Sequence, residues 1–387
     1  MNIPVSILCL AVLMASPLCR AQSAKMDAVK KDVEAAIAKG TTFLLSKQNA
    51  EGWWVTPDEP ALSALVIMAI AEDPGRALAG GESAELSNGY EYLLKNVKPD
   101  GGIYTRARAN YNTAISLTTL VLRGRAADEE VIRKARQFVV GSQNDYDTKG
   151  KTDNVFDGGI GYGDAKPGAN AHADLSNTTF ALEALYLSKK LFEDKGLPLD
   201  KKDDLNWDSA IQFVQRCQDR PQSNDQNWAG KDPKSRGAFA YTPSNPQDDG
   251  KKKNGRVAMR CYGSISYAGM LSFIYAGLTP EDPRVTAALQ WLGENYSVDE
   301  NPGMGAEGLF YYYHTMAKAL SVAGVPMLKT KSGNVDWRDT LGRKLISIQA
   351  TDGSWKNTAS SRWMEGDPVL VTAYTVLALE QIHRAIK

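Results

Sequence analysis

A unit of two helices joined by a glycine-rich loop recurs six times along this chain, and this repetition constrains the fold more than any other feature. In each unit an amphipathic helix precedes the loop, and a helix that is apolar nearly all round follows it. Helices of the second kind belong in the interior of a fold. We therefore predict an all-α (α/α)6 toroid of six helical hairpins, with the apolar helices inside. An open solenoid would need polar capping units at both ends, and the first and last units are no more polar than the rest. The six loops lie at 48–54, 99–104, 157–162, 236–239, 303–310 and 349–355.

The amino terminus differs from the rest of the chain. Residues 3–15 form an apolar run of the length of a signal-peptide core, and cleavage after Ala21 fits the small-residue rule. We predict a signal peptide at 1–21, export to the periplasm or the medium, and one toroid domain over 22–387. No later segment is long and apolar enough to span a bilayer. The 45 basic and 45 acidic side chains balance, which argues against a nucleic-acid partner.

Cleavage would leave Cys217 and Cys261 as the only thiols, and a disulfide between them stays open. Residues 217–257 are rich in Pro, Asn, Asp, Gln, Lys and Gly. This composition predicts a long loop over one rim of the toroid.

Two of the six loops carry a fuller motif, with glutamine, glycine and tryptophan at matching positions. The motif resembles the QW repeat of squalene and hopene cyclases, and with the four weaker copies it indicates the terpenoid cyclase and protein prenyltransferase superfamily, whose fold is the α/α toroid. We predict a structural role, because glutamine can hydrogen-bond helix ends together and tryptophan can fill the space between hairpins. The residues concerned are Gln48, Gly52, Trp54, Gln349, Gly353 and Trp355.

Hopene-type cyclases protonate an alkene with a DxDDT motif, and the equivalent stretch here is 174–178. Asp174 and Thr178 match the motif, but Ser176 and Asn177 stand where acids are expected. Neither a hydroxyl nor an amide is a strong proton donor, so cyclisation started by protonation is not expected. Asp174 is either a helix N-cap or a catalytic residue.

Prenyltransferase β subunits hold zinc with Asp, Cys and His, and two segments here resemble their ligand motifs. Cys261 before Tyr262, and His314 between Tyr313 and Thr315, match two of the three ligands, while Met259 stands in place of the aspartate. The resemblance implies a possible zinc site and catalytic roles for Cys261 and His314. Asp174 or Glu307 could supply a third ligand. The alternative is a buried cysteine and a hydrogen-bonded histidine.

Aromatic residues gather where the inner helices begin. In the superfamily such rings line an apolar pocket and stabilise cations through their π faces; sugar stacking and plain packing are the alternatives. The candidates are Tyr104, Tyr111, Tyr262, Tyr267, Tyr311, Tyr312, Tyr313 and Trp363.

The sequence thus favours an exported toroid that binds a small isoprenoid or other apolar ligand in its centre, with zinc-dependent transferase or cyclase chemistry as one interpretation. A non-catalytic binding or scaffold protein is a second interpretation. A carbohydrate-active toroid is a third, and it would need two acids paired across a cleft. Its candidates are Asp100, Asp157, Glu307 and Glu365. The protein partner is not predicted.

Overall fold

A computed structural model describes residues 17–79, 81–144, 154–163, 172–197, 199, 204–244 and 261–386. Most of the predicted signal peptide, residues 1–16, lies outside these ranges, as do the second part of the predicted rim loop, 245–257, and Met259. Thirteen α-helices are described: α1 Pro17–Leu45, α2 Pro60–Ala71, α3 Pro74–Ala79, α4 Ala84–Lys95, α5 Ala109–Arg123, α6 Glu129–Val140, α7 Leu175–Asp194, α8 Trp207–Cys217, α9 Gly263–Tyr275, α10 Pro283–Glu294, α11 Leu309–Val322, α12 Trp337–Ser347 and α13 Pro368–Ala385. A small antiparallel hairpin, β1 Met327–Thr330 with β2 Gly333–Asp336, joins α11 to α12.

Six of these helices form a closed inner ring. In order around the ring, α2 packs on α5, α5 on α7, α7 on α9, α9 on α11, α11 on α13, and α13 returns to α2. The remaining long helices α1, α4, α6, α8, α10 and α12 pack against the outside of this ring. The predicted all-α toroid with inner and outer layers is therefore confirmed.

The two layers follow from the residue composition of their helices. Residues 60–70 of α2 and 370–382 of α13 are buried on every side, as expected for helices enclosed by neighbours. The outer helix α6 is instead amphipathic, because Ile132, Ala135 and Val139 face inward while Glu130 and Lys134 lie in solvent. Within the described ranges, none of the helices is long and apolar enough to cross a membrane.

Glutamine side chains tie four of the hairpins to their neighbours. Gln48 Nε2 donates to the carbonyl oxygen of Gly52 in its own loop at 3.1 Å, and to that of Glu85 in the next outer helix at 2.7 Å. Gln349 makes the same two bonds, to Gly353 and to Ala36 of α1, and thereby joins the last hairpin to the first. Two glutamines outside the predicted motif repeat the arrangement: Gln143 and Gln218.

The tryptophans and glycines of the motif also help to join each hairpin to the next. Trp54 Nε1 donates to Leu44 O, and Trp355 Nε1 donates to Leu345 O, each at 2.8 Å in the core. The loop glycine has a positive φ and lies against the backbone of the next outer helix, where a Cβ atom would not fit. This holds at five loops: Gly52, Gly101, Gly158, Gly237 and Gly353.

Candidate functional site

All six inner helices begin at the same end of the toroid, which we call the mouth. Ala61 N at the start of α2 donates to Asn112 Oδ1 of α5, and Asn110 N at the start of α5 donates to Tyr162 O in the loop before α7. On the opposite side, Ser264 N of α9 donates to Asn301 Oδ1 in the loop before α11. The mouth is therefore a ring of helix N-termini joined by their preceding loops.

Four aromatic side chains from four inner helices contact one another across the centre of the mouth. Ring centroids lie 5.7 Å apart for Tyr111 and Phe180, 6.3 Å for Phe180 and Tyr311, and 5.9 Å for Tyr311 and Tyr374. Tyr374 and Tyr111 also interact, which closes the cycle. We call these four residues the aromatic cluster. Because α7 and α11 are not neighbours in the inner ring, the contact between Phe180 and Tyr311 spans its centre.

Three members of the aromatic cluster keep accessible surface near the mouth. Tyr111, Phe180 and Tyr311 are half-buried, whereas the residues that follow each of them on its helix are buried. Burial raises the pKa of the Tyr111 and Tyr311 hydroxyls, so both stay protonated at neutral pH. The cluster therefore presents neutral ring surface toward the mouth.

Asp174 lies at the edge of the aromatic cluster and caps α7. Its Oδ1 accepts from the Asn177 backbone N–H at 2.9 Å, and its Oδ2 accepts from Asn177 Nδ2 at 2.7 Å. The Tyr241 hydroxyl lies close to this carboxyl, and Tyr241 interacts in turn with Tyr162. Burial nevertheless raises the pKa of Asp174 to about 6, with the hydrogen bonds opposing the shift. Asp174 is thus both an N-cap and an acid that titrates near neutrality.

A second buried carboxylate supports the mouth. Glu365 Oε1 accepts from the backbone N–H groups of Phe310 and Tyr311, each at 2.9 Å, and so caps α11. Burial raises the pKa of Glu365. This capping fixes the position of Tyr311 within the aromatic cluster.

An exposed aromatic stands on the rim of the mouth. Trp363 is 52% exposed, and Arg362 stacks on its ring at 4.3 Å while pairing with Glu307 at 2.6 Å. The tryptophan ring also contacts Gly308, the N-cap of α11. Tyr262, the half-buried N-cap of α9, interacts with Tyr311 at the start of α11.

Three of the predicted pocket residues face away from the mouth. The hydroxyls of Tyr312 and Tyr313 donate to the carbonyl oxygens of Ser297 and Val298, in the loop after the outer helix α10. Tyr267 is fully buried and packs on Tyr312 at 5.8 Å. Successive helix residues are rotated by about 100°, so Tyr311, Tyr312 and Tyr313 could not all share one face. Tyr104 also lies elsewhere, on Phe138 of α6.

Cys261 and His314 have different surroundings. The Cys261 thiol lies near Ser235, Asp219 and Asp232, and burial raises its pKa to about 12. The His314 ring packs on Tyr374 at 5.6 Å, and its pKa is lowered well below the ordinary value by burial and, to a lesser extent, by Lys318.

A zinc site needs a thiolate and usually three protein ligands. Among the residues that the structure describes, no group of three His, Cys, Asp or Glu side chains is placed to hold a metal ion. The described donors therefore do not fit a three-ligand zinc site, and we assign no chemical step to zinc. Cys217 and Cys261 are both free thiols.

Zinc binding by Cys261 and His314 stays a prediction that elemental analysis can test. A real site requires about one zinc per chain, lost in Cys261→Ala. Because no described set of three ligands surrounds Cys261 and His314, we expect no stoichiometric zinc in either protein. Purification without a His tag is essential, since a tag binds metal itself.

The four acids considered for carbohydrate chemistry each have a local partner. Asp100 accepts from Gly102 N and from the Tyr104 hydroxyl, and Asp157 accepts from Asn154 N. Glu307 pairs with Arg362, while Glu365 caps α11. The carbohydrate-active interpretation stays a hypothesis.

The fold of this helical toroid is similar to that of terpene cyclases among the solved structures. No family model matches the chain, and no curated protein matches it. The type II terpene cyclase MstE from Scytonema superposes with a TM-score of 0.54 at 14% identity, over 92% of this chain and 99% of that one. A point variant of MstE in complex with geranylgeranyl dihydroxybenzoate, its substrate, gives a TM-score of 0.53 over the same shares. A protein from Actinoplanes gives 0.52 at 15% identity, over 90% and 99%.

These identities are low, so the likeness concerns the fold. The superfamily resemblance inferred from the glutamine and tryptophan motifs is confirmed at that level. Several mouth residues escaped the sequence analysis: Tyr162, Phe180, Tyr241 and Tyr374.

Proposed function

We propose that this protein binds an apolar, isoprenoid-like ligand at the mouth of the toroid, against the aromatic cluster. The observation that carries the proposal is the cluster itself, in which four inner helices contribute neutral rings and three of the rings keep accessible surface. Aromatic faces bury apolar area and contact polarisable chains well. The structural neighbour MstE, captured with a geranylgeranyl compound, supports this ligand class.

The ligand can be tested directly with geranylgeraniol as the probe. We expect saturable binding, followed by quenching of tryptophan fluorescence, and a Kd about tenfold weaker in Tyr311→Ala because one wall of the site is lost. Tyr186→Ala is the matched control, since Tyr186 is 39% exposed and packs on Tyr275 at the end of α9, away from the mouth. Equal affinity in the two variants, or no binding by the wild type, would argue against the proposal.

A second candidate function is acid catalysis by Asp174 on the bound ligand. Its buried carboxyl interacts with Tyr311 and Tyr262, which adjoin the mouth, and its pKa of about 6 lets it hold a proton under mildly acidic conditions. An acid of this strength is suited to general acid or base steps. It is far too weak to protonate an alkene unaided, which agrees with the replacement of the two later acids by Ser176 and Asn177.

The titration of Asp174 can be measured without a known reaction. We expect a carboxyl ¹³C resonance that titrates near pH 6 and disappears in Asp174→Asn. A raised pKa means that this group's contribution to stability is complete below its ordinary pKa of 3.8 and is lost as pH rises through about 6. Asparagine also caps helices, so Tm at pH 5 should change by no more than about 3 °C. If Asp174 is catalytic, the variant loses turnover at nearly unchanged Tm; retained turnover would leave only the capping role.

We also propose that the protein is exported, on the strength of the apolar run at 3–15 and the small residues before position 22. Amino-terminal sequencing of the protein from its native source should begin at Gln22.

A further inference from the structure

Glu380 is a buried acid of the inner ring. It lies on α13, is 1% exposed, and neither of its carboxyl oxygens bonds to any residue in the described part of the chain. Buried polar groups are nearly always hydrogen-bonded, so this one calls for an explanation. Its place in the fold is specific: α13 is the last inner helix and packs on α2, the first, where the ring closes. We call the contact between α13 and α2 the seam.

An ion pair bridges the seam beside Glu380. Arg384 of α13 bonds to Glu72, the C-cap residue of α2, at 2.7 Å. Arg384 follows Glu380 by four residues on the same helix, which is the spacing at which a glutamate and an arginine contact each other. Asp73 is already engaged by the Thr41 hydroxyl at 2.8 Å and by Gly75 N at 2.9 Å. Arg384 is therefore the cation for which Glu72 and an ionised Glu380 would compete.

The surroundings favour the protonated form of Glu380. Burial raises its pKa well above the ordinary value, Glu72 and Asp73 raise it further, and Arg384 opposes them. The other elements packed on α13 also carry charged or titratable groups, most of which bond elsewhere. These are Glu34 of α1 (to His383), Lys30 of α1 (to Ile386 O), Arg338 of α12 (to Ala385 O), Lys318 of α11 (to Glu183) and the neutral His314 of α11.

We propose that Glu380 is a proton-operated latch on the seam. When Glu380 is protonated, Arg384 pairs with Glu72, and this ion pair holds α13 against α2. When Glu380 loses its proton to solvent, its carboxylate attracts Arg384 and water. The ion pair between Arg384 and Glu72 then weakens, and the contact between α13 and α2 becomes less stable. The latch is independent of any ligand at the mouth, so its test and the test of ligand binding can fail separately.

The direction of the pH effect follows from linkage. An acid whose pKa is raised in the folded state contributes stability that is complete below the ordinary pKa of 4.5 and is lost as pH rises through the raised value. The pKa values of Asp174 and Glu365 are also raised, so these two acids also make the protein less stable as pH rises. The informative quantity is therefore the difference between the wild type and a Glu380 variant, measured across pH 5 to 9.

Glu380→Gln is the variant of choice, because glutamine copies the shape of the neutral acid. We expect its Tm to match that of the wild type near pH 5 and to exceed it progressively toward pH 9. In the wild type, amide exchange in the last turns of α2 and α13, corrected for the intrinsic rate, should be about tenfold faster at pH 8 than at pH 5, while the outer helix α10 should not change. Glu72→Gln should show the faster seam exchange already at pH 5.

Two results would overturn the proposal. One is a constant Tm difference between the wild type and Glu380→Gln across the pH range. The other is seam exchange in the wild type that does not depend on pH, which can be measured even if a variant fails to fold. Glu183→Gln is the matched control, because Glu183 is a buried acid whose partner, Lys318, lies at 2.6 Å; it should not reproduce the rise toward pH 9.

Discussion

Gly158→Ala is expected to lower the free energy of unfolding by about 4 kcal/mol. Gly158 has φ +85°, and a Cβ atom there would lie 1.9 Å from the carbonyl oxygen of Ser209 in α8. The obstacle is helix backbone, which cannot rotate aside as a side chain can. The substitution must therefore push α8 away from the loop before α7 and strain the hydrogen bond from Gln143 to Gly158 O. Urea denaturation followed by far-UV circular dichroism measures the loss.

Gly196→Ala separates close packing from backbone conformation. Gly196 also has a positive φ, +67°, but no atom of the residues that the structure describes lies within 4 Å of a Cβ atom there. Its substitution should cost only the strain of the left-handed conformation, about 1 kcal/mol. If both variants lost the same stability, close approach of neighbouring hairpins would not be what requires glycine in these loops.

Trp355→Ala is expected to destabilise the protein by about 3 to 5 kcal/mol. Trp355 is 1% exposed, donates from Nε1 to Leu345 O at 2.8 Å, and lies so close to Gly40 of α1 that a Cβ on Gly40 would meet its ring at 2.9 Å. Its removal leaves a cavity between the last hairpin and the first, next to the seam. The measurement is again the free energy of unfolding in urea.

Trp363→Ala is the matched control for this substitution. Trp363 is 52% exposed on the rim of the mouth, so its loss should change the free energy of unfolding by less than about 0.5 kcal/mol. A loss comparable to that of Trp355→Ala would mean that tryptophan content, and not the filling of the space between hairpins, determines the effect.

The sequence predicted the layers of the toroid well and the ties between hairpins only in part. Helical periodicity and the absence of a polar face distinguish the inner helices, and both are local properties that sequence records. Gln48 and Gln349 stand four residues before their glycines, but Gln143 stands 15 residues before Gly158 and Gln218 stands 19 before Gly237. Insertions within the loops separate the partners along the chain without separating them in space. A motif of fixed spacing cannot detect these two ties.

The mouth was harder to predict, because its residues are defined by rotation about each helix axis. Tyr311 joins the aromatic cluster, while the next two tyrosines turn toward the outer layer. Phe180 and Tyr374 were missed because they lie in the second turn of their helices, beyond the helix starts on which the sequence argument concentrated. Tyr241 precedes its helix by some 20 residues and reaches Asp174 only through the course of the loop.

Closure of the ring also has a consequence for how the chain folds. The contacts that complete the ring join residues more than 300 positions apart, as in Lys25 with Asp339, Gln349 with Ala36 and His383 with Glu34. Contacts of such long range carry a large loop-closure entropy and form late, after neighbouring hairpins have assembled through local contacts. We therefore expect an open, arc-shaped intermediate during refolding, in which five interfaces between hairpins are built and the first and last hairpins have yet to meet.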